Sequence, residues 1–248
     1  MADVASMISE TDKAEPQSRG LGVRLLAMIV ATSLATAVCC FAVDFIGIIH
    51  PTPAAVLNLG ADPTPEERAV AALAKFDADS GNAMVWFGAI GAILGGTIAF
   101  TMGCLRLSGV RILIGTIAGI LLAGGLGCLA GFVSLSFHDS LKSTMIGSTS
   151  DSELQFMKMH ALTWALICIG IGIACGLTHR AITFKSVGLS MIVACVAGCI
   201  AGASFPLLVA IAAPLADSSF PFPDPGAPRA VWIGLASIFT GLGLARSK

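Results

Sequence analysis

Six long apolar stretches constrain this chain more than any other feature of its sequence. A helix needs about 20 apolar residues to cross about 30 Å of hydrocarbon, and each stretch reaches or approaches that length. With 56% hydrophobic and 12% charged residues, the chain is too apolar for a soluble domain. The sequence therefore predicts an all-α integral membrane protein with six transmembrane helices. The predicted spans cover residues 23–43, 84–104, 110–133, 161–178, 187–212 and 229–245.

The first 22 residues differ from everything that follows. Residues 1–22 are polar, mixed in charge and without periodicity, so we expect a disordered tail, and residues 23–248 form a single membrane domain. A cleaved signal peptide is the alternative interpretation of the first span. Its apolar core from Leu25 to Val43 is longer than the usual 7–15 residues, which favours a retained helix.

The loop at 44–83 carries the signals of a short helix. Thr64 suits the N-cap, Pro65 the first helical position, and Glu67 can close a capping box. These signals predict an amphipathic helix over residues 65–76, which lies on the membrane surface or packs against the bundle.

The distribution of lysine and arginine predicts the orientation. With a cytoplasmic N-terminus, the short cytoplasmic loops and the termini hold most of the basic residues, whereas the longer outer loops hold fewer. We therefore expect both termini to face the cytoplasm. The cytoplasmic residues would be Lys13, Arg19, Arg24, Arg106, Arg111, Arg180, Lys185, Arg246 and Lys248.

The three tryptophans indicate an internal repeat. Each opens a glycine-rich apolar run: AMVWFGAIGAILGG at Trp86, ALTWALICIGIGIACG at Trp164 and RAVWIGLASIFTGLGLA at Trp232. Spans 2–3 and 4–5 form hairpins with short basic turns, whereas the third copy ends with the chain. The first span supplies its partner, because LGVRLLAMIVATSLATA is similar to SGVRILIGTIAGILLAG. The hypothesis is three glycine-rich hairpins, spans 2–3, 4–5 and 6 with 1, in pseudo-threefold symmetry.

Small residues recur every four positions along these spans. Without a hydrophobic force between helices in lipid, close backbone approach through small residues is a main source of association. We therefore predict helix packing at the glycines of this stripe, against the alternative of a hinge or a substrate path. The predicted packing glycines are Gly115, Gly119, Gly127, Gly131, Gly172, Gly176, Gly198 and Gly202.

The tryptophans themselves lie at the predicted outer ends of spans 2, 4 and 6. Indole rings prefer the membrane interface, so Trp86, Trp164 and Trp232 are predicted to be interfacial anchors. The alternative is a ring of tryptophans that lines a vestibule. Asp44, His160 and His179 are likewise expected at the interface, which leaves spans 2–6 without a charge in the hydrocarbon.

The tryptophan and glycine hairpin resembles a known type of module. ALTWALICIGIGIACGLTHRA with IVACVAGCIAGASF is similar to the glycine-rich multi-pass modules that accompany forkhead-associated domains in some bacterial membrane proteins. The match covers mainly residues 161–205 and is echoed in 83–132. No forkhead-associated domain is present here, and the resemblance implies no functional residue. The resemblance implies a location in a bacterial cytoplasmic membrane.

Eight cysteines lie within or beside the predicted spans. Cys195 and Cys199 are one turn apart on one helix face, and Cys168 would lie near their depth in an antiparallel hairpin. Three thiolates could hold Cu(I) or Zn. The chain has no CxxC motif and no fourth ligand, and cysteine also serves as a small apolar packing residue. A metal site at these three residues is therefore the lesser alternative.

No motif indicates catalysis or a cofactor. The chain lacks HExxH, GxSxG and GxxxxGK[ST], so we expect no enzyme activity and no cofactor. With a net charge of -1, nothing indicates nucleic acid. The expected partners are the lipid bilayer and another membrane protein or a second copy. The sequence favours a non-catalytic scaffold or accessory module; the alternatives are a channel or facilitator for a small neutral solute, and soft-metal handling.

Overall fold

The computed structural model describes residues 20–107, 109–144, 152–179, 182–212 and 219–247, and these are helical except for short connections. Six helices are long and apolar enough to cross a membrane, as predicted. The predicted tail lies outside the described residues except for its last three positions. The elements in chain order are α1 (Leu21–Ile46), α2 (Ala54–Leu57), α3 (Pro65–Leu105), α4 (Val110–Ala118), a π-helical segment (Gly119–Ala123), α5 (Gly124–Thr144), α6 (Ser152–Leu177), α7 (Phe184–Ala212) and α8 (Ala227–Arg246).

Helices α3, α6 and α8 form the centre of the bundle. Each of the three contacts the other two. In their most apolar windows 56%, 67% and 50% of residues are buried, against 28% for α1, 28% for the third spanning helix, and 44% for α7. The tryptophan helices are therefore the inner helices. The third spanning helix consists of α4, the π-helical segment and α5.

Each outer helix packs against two inner helices. α1 contacts α3 and α8, the third spanning helix contacts α3 and α6, and α7 contacts α6 and α8. All three predicted pairs of spans are therefore in contact. Because every outer helix also touches a second inner helix, contact alone does not single out the hairpins as repeats.

The glycines predicted to pack the helices lie at the closest backbone approaches. A Cβ atom added at any of the eight would come within 3.0 Å of a neighbouring segment, which is a helix in seven cases and Thr178, just after α6, for Gly115. Gly119 faces the Gly95 carbonyl, and Gly202 faces that of His160. At the end of the π-helical segment, the Ala123 backbone lies against both Gly91 of α3 and Gly170 of α6. Three helices thus meet with almost no side chain between them.

The predicted short helix over residues 65–76 is not separate, which corrects that expectation. The capping box at Thr64 and Glu67 forms, but the helix continues without a break into the second span. The polar run after Phe76 is helical rather than a loop. Within it, Asn82 binds the backbone of residues 49 and 50, and Gly81 lies against the His50 ring. At about 1.5 Å per residue, this 41-residue helix is about twice as long as the hydrocarbon is thick.

Candidate functional site at the two ends of the bundle

A cluster of aromatic rings fills one end of the space between the inner helices. We call this the aromatic end. Three inner helices, α7 and the loop before α8 all contribute side chains to it. The aromatic cluster consists of Trp86, Phe87, His160, Trp164, Phe205, Phe222 and Trp232.

Trp232 is the centre of this cluster. Its ring centroid lies 4.7 Å from that of Trp164, 5.3 Å from that of Phe87 and 5.8 Å from that of Phe222. The rings meet edge to face or tilted, the arrangements that the ring quadrupole favours. The Trp232 Nε1–H donates to Nδ1 of His160 over 3.1 Å. That nitrogen must therefore be unprotonated, which places the proton of a neutral imidazole on Nε2.

The burial of these rings differs from that of an interfacial side chain. Trp164 and Trp232 are each 1% exposed, and His160 is fully buried, so these three contact protein. Trp86 is half-buried, and its Nε1–H donates to the Gly47 carbonyl over 2.8 Å. The role of the tryptophans as membrane anchors stays a prediction, whereas their contacts with each other are a feature of the fold.

The segments that flank α1 and α8 cover the aromatic cluster. Arg229 forms an ion pair with Asp44, its guanidinium lies 4.6 Å from the centre of the Phe222 ring, and its Nε donates to the Pro223 carbonyl over 3.4 Å. The Arg229 side chain is 8% exposed and the Asp44 side chain 57%. The ion pair therefore fixes the start of α8 to the end of α1 over the aromatic end.

Sequence reasoning did not bring these residues together. His160 was predicted at the membrane interface, at the start of the fourth span, and that depth stays a prediction. The structure adds that His160 is fully buried against Phe205 and Trp232. Asp44 and Arg229 carry opposite charges at the outer ends of two spans predicted to pair, and that coincidence was the available signal. Phe222 lies in a proline-rich loop and gave no signal.

The three cysteines considered for metal binding do not form a site. Among the described residues no group of three or more His, Cys, Asp or Glu side chains could hold a metal ion. Cys168 faces Gly198 of α7 and forms a hydrogen bond with Thr240 of α8 at 3.2 Å. Cys195 and Cys199 are half-buried. Gly198, which lies between these two cysteines along α7, faces the Cys168 Sγ directly.

Basic side chains gather at the opposite end of the bundle. We call this the basic end, defined by Arg24, Arg106, Arg111 and His179. Arg106 Nη1 donates to the Cys175 carbonyl over 2.6 Å and to Thr178 Oγ1 over 2.7 Å. Arg111 donates to the His179 carbonyl. Two arginines beside the turn between α3 and α4 thus bind the carbonyls at the C-terminal end of α6, where the helix dipole favours positive charge.

Arg24 makes the corresponding contact at the end of α8. Its Nη2 donates to the Ser247 carbonyl over 3.2 Å. The described termini of the chain therefore meet at the basic end. The other two predicted hairpins have a covalent turn at this end, whereas spans 6 and 1 have this hydrogen bond.

The charges at the basic end act on one another. Burial and the charge of Arg24 lower the pKa of Arg106 to about 10, so its guanidinium stays charged at neutral pH. Burial, then Arg106 and Arg24, lower the pKa of His179 to about 4, so its imidazole is neutral there. The basic end therefore carries concentrated positive charge.

The chain matches no protein-family model, no curated protein and no solved structure. Its resemblance to the membrane modules of forkhead-associated proteins accordingly rests on the residues quoted above.

Proposed function

We propose that this protein is a non-catalytic membrane module that acts as a scaffold or accessory subunit. The observation that carries the proposal is the aromatic cluster, which fills the aromatic end of the space between the inner helices. Trp164 and Trp232, both 1% exposed, leave their rings in mutual contact where a solute path would have to open. Large apolar side chains in contact at that level are typical of a packed core.

The polar side chains of the interior support the same proposal. Thr32 donates to the Met28 carbonyl over 2.7 Å, and Thr163 donates to the Met159 carbonyl over 2.8 Å, each within its own helix. Thr240 shares its hydrogen bond with Cys168. A hydroxyl that is bound to its own backbone is not presented to a passing solute. The interior therefore has the hydrogen bonding of a structural element.

The threefold repeat belongs to this proposal. Its support is that the three tryptophan-bearing helices are the inner helices and that an outer helix packs in each groove between them. The hydrogen bond from Arg24 to the Ser247 carbonyl links the first and last spans, the predicted hairpin that has no covalent turn. Such a closed bundle presents apolar surfaces such as Val110, 76% exposed, and Ile211, 80% exposed, to lipid or to a partner helix.

The orientation is part of the same proposal. We place the basic end and both termini on the cytoplasmic side of a bacterial membrane. The support is that the lysines and arginines of short connections lie at this end.

Solute flux tests the proposal. The full chain is reconstituted into liposomes, and the rates of glycerol and urea entry are followed by stopped-flow light scattering. Wild-type protein should leave both rates equal to those of protein-free liposomes. Glycerol or urea entry above that level would overturn the scaffold proposal in favour of a facilitator.

A pair of variants sharpens the flux test. Trp232→Ala removes the central ring of the aromatic cluster, and Phe184→Ala removes a ring that is 97% exposed. If the cluster is a core, both variants leave glycerol entry at the level of the wild type. Entry that rises for Trp232→Ala alone, at equal amounts of incorporated protein, would show that the cluster closes a path and would contradict the proposal.

A further inference from the structure

The basic end holds a concentration of positive charge that the described part of the chain does not balance. Each aspartate and glutamate of the described residues lies in a segment at or near the aromatic end. Both ion pairs found among these residues, Lys75 with Asp79 and Arg229 with Asp44, are there as well. The acidic residues in question are Asp44, Asp62, Glu66, Glu67, Asp77, Asp79, Asp139, Glu153 and Asp224.

The Arg106 side chain has a buried N–H group without an acceptor in the part of the chain that the structure describes. Its Nη1 has two acceptors, Cys175 O and Thr178 Oγ1, and these are the hydrogen-bond acceptors of its side chain among the described residues. Its Nη2 is buried and has no hydrogen-bond partner in that part of the chain. A buried N–H group without an acceptor is costly, and more so on a charged group. The guanidinium is therefore fixed in place with one side lacking an acceptor.

The neighbouring groups make that position attractive to an anion. Arg24 lies close enough to Arg106 to lower the pKa of its guanidinium. Both arginines also lower the pKa of His179. Arg111 adds a further guanidinium, held on the His179 carbonyl. Guanidinium groups that gather at one end of a bundle suit phosphate oxygens, because each can donate hydrogen bonds in parallel pairs.

We propose that the basic end binds one phosphate-bearing anion between Arg24 and Arg106, and that Nη2 of Arg106, which protein atoms cover in this structure, becomes a donor to the anion when those atoms move aside on binding. The phosphate group is common to an anionic lipid headgroup and to free phosphate. The ends of membrane-spanning helices lie at the level of the headgroups, so either source can reach the basic end. This site is separate from the aromatic cluster on which the scaffold proposal rests.

The test uses the full chain in a maltoside detergent, in a buffer free of phosphate and sulfate at constant ionic strength. Inorganic phosphate and a short-chain phosphatidylglycerol are titrated separately, with chloride as the matched anion. Affinity is followed by the thermal midpoint of unfolding, and stoichiometry by native mass spectrometry. One bound phosphatidylglycerol without bound phosphate would identify the lipid as the source, and binding of both would identify the phosphate group itself.

Three variants distinguish a built site from a general surface charge. Arg106→Gln and Arg24→Gln each remove a proposed ligand, whereas Lys185→Gln removes an exposed charge from the same end. Loss of one charged donor should weaken binding about 10-fold or more, while Lys185→Gln binds as the wild type does. Arg24→Gln alone decides the matter if Arg106→Gln does not fold, since Arg24 makes one bond to a terminal carbonyl.

Two results would overturn the proposal. One is the absence of any saturable binding by phosphate and by phosphatidylglycerol in the wild type. The other is an equal loss of affinity in Lys185→Gln and Arg24→Gln, because a nonspecific positive surface responds to charge number rather than to position.

Discussion

The two ends of the bundle each fix an arginine in the interior, but they pair it differently. At the aromatic end, Arg229 has a carboxylate partner in Asp44 and an aromatic face in Phe222. At the basic end, Arg106 binds only neutral acceptors, and its Nη2 has none among the described residues. The arginine of the aromatic end is therefore paired within the chain, although Nε1 of the buried Trp164 there has no hydrogen-bond partner among the described residues. The basic end instead leaves a charged donor without an acceptor in the described part of the chain, so it is arranged to receive a negative group. The stability of the first should depend on packing and that of the second on its ligand.

The largest effect should come from the centre of the aromatic cluster. Trp232→Ala removes a fully enclosed ring that contacts five other rings, together with its hydrogen bond to His160. We expect a loss of about 3–5 kcal/mol in the free energy of unfolding. Reversible unfolding in mixed detergent measures it. Phe184→Ala, at a side chain that is 97% exposed, is the control and should cost almost nothing. Equal losses in the two variants would show that the aromatic cluster is not a core.

A second prediction compares the ends along one helix. Gly202 of α7 faces the His160 backbone at the aromatic end, whereas a Cβ at Gly188, nearer the basic end, meets nothing within 4 Å. Gly202→Ala should destabilise by about 1–3 kcal/mol, because backbone cannot move aside as a side chain can. Gly188→Ala should be neutral or stabilise by up to about 1 kcal/mol, through helix propensity. A Gly202→Ala protein as stable as Gly188→Ala would refute the close packing of α6 on α7.

The ion pair at the aromatic end predicts a smaller effect. Asp44→Asn leaves the Arg229 guanidinium buried without its carboxylate, and we expect a loss of about 1 kcal/mol because Asp44 is itself half exposed. Asp79→Asn breaks the exposed pair with Lys75 and should cost about 0.3–0.5 kcal/mol at most. Thermal unfolding of both variants at low and high salt measures the contribution of each ion pair to stability. A larger loss in Asp79→Asn would remove the distinction between a buried and an exposed pair.

A further prediction concerns pH at the basic end. The pKa of His179 is about 4 in the folded protein, against 6.5 without burial and without Arg106 and Arg24. The unfolded chain therefore takes up a proton that the folded one does not between about pH 6.5 and 4. The contribution of His179 to stability is lost as pH falls through that window and is constant below it.

Histidine-selective NMR of the full chain measures this titration. Arg24→Gln should raise the pKa of His179, since one of the charges that lower it is removed. A bound phosphate should raise it as well, by neutralising Arg24 and Arg106. Titration of His179 at or above pH 6.5 in the absence of phosphate would contradict the charge concentration that defines the basic end.

The span pattern predicted the number of spanning helices, and the capping box at Thr64 placed a helix start at the correct residue. The glycine stripe also indicated which faces would lie together, because in lipid only small residues allow backbones to touch. The prediction was wrong where the chain uses polar residues inside a helix. Ser80 and Asn82 suggest a loop, yet their hydrogen bonds to carbonyls and to residues 49 and 50 let α3 continue.

The functional candidates depended on the tertiary structure more heavily. Each tryptophan was visible as the start of a span, but most of its partners come from other parts of the chain, as for Trp232 with His160, 72 residues away. Cys168, Cys195 and Cys199 lie near one depth, as expected, yet the rotation of α7 presents Gly198 to Cys168. The depth of a residue in the membrane follows from its position along a span. The direction in which its side chain points depends on the rotation of the helix about its axis, and that rotation is set by packing against all neighbouring helices.

The sequence by itself determined that this chain forms six apolar helices, and it marked the small residues at which they touch. Both follow from local rules, since a helix satisfies its own backbone in lipid and a glycine admits a neighbour wherever it stands. Only the tertiary structure decided that the tryptophan helices are inside, that their rings fill one end, and that Arg24, Arg106 and His179 share the other. Those outcomes depend on how six helices divide the space between them, and charges or rings distant in sequence become neighbours only through that packing.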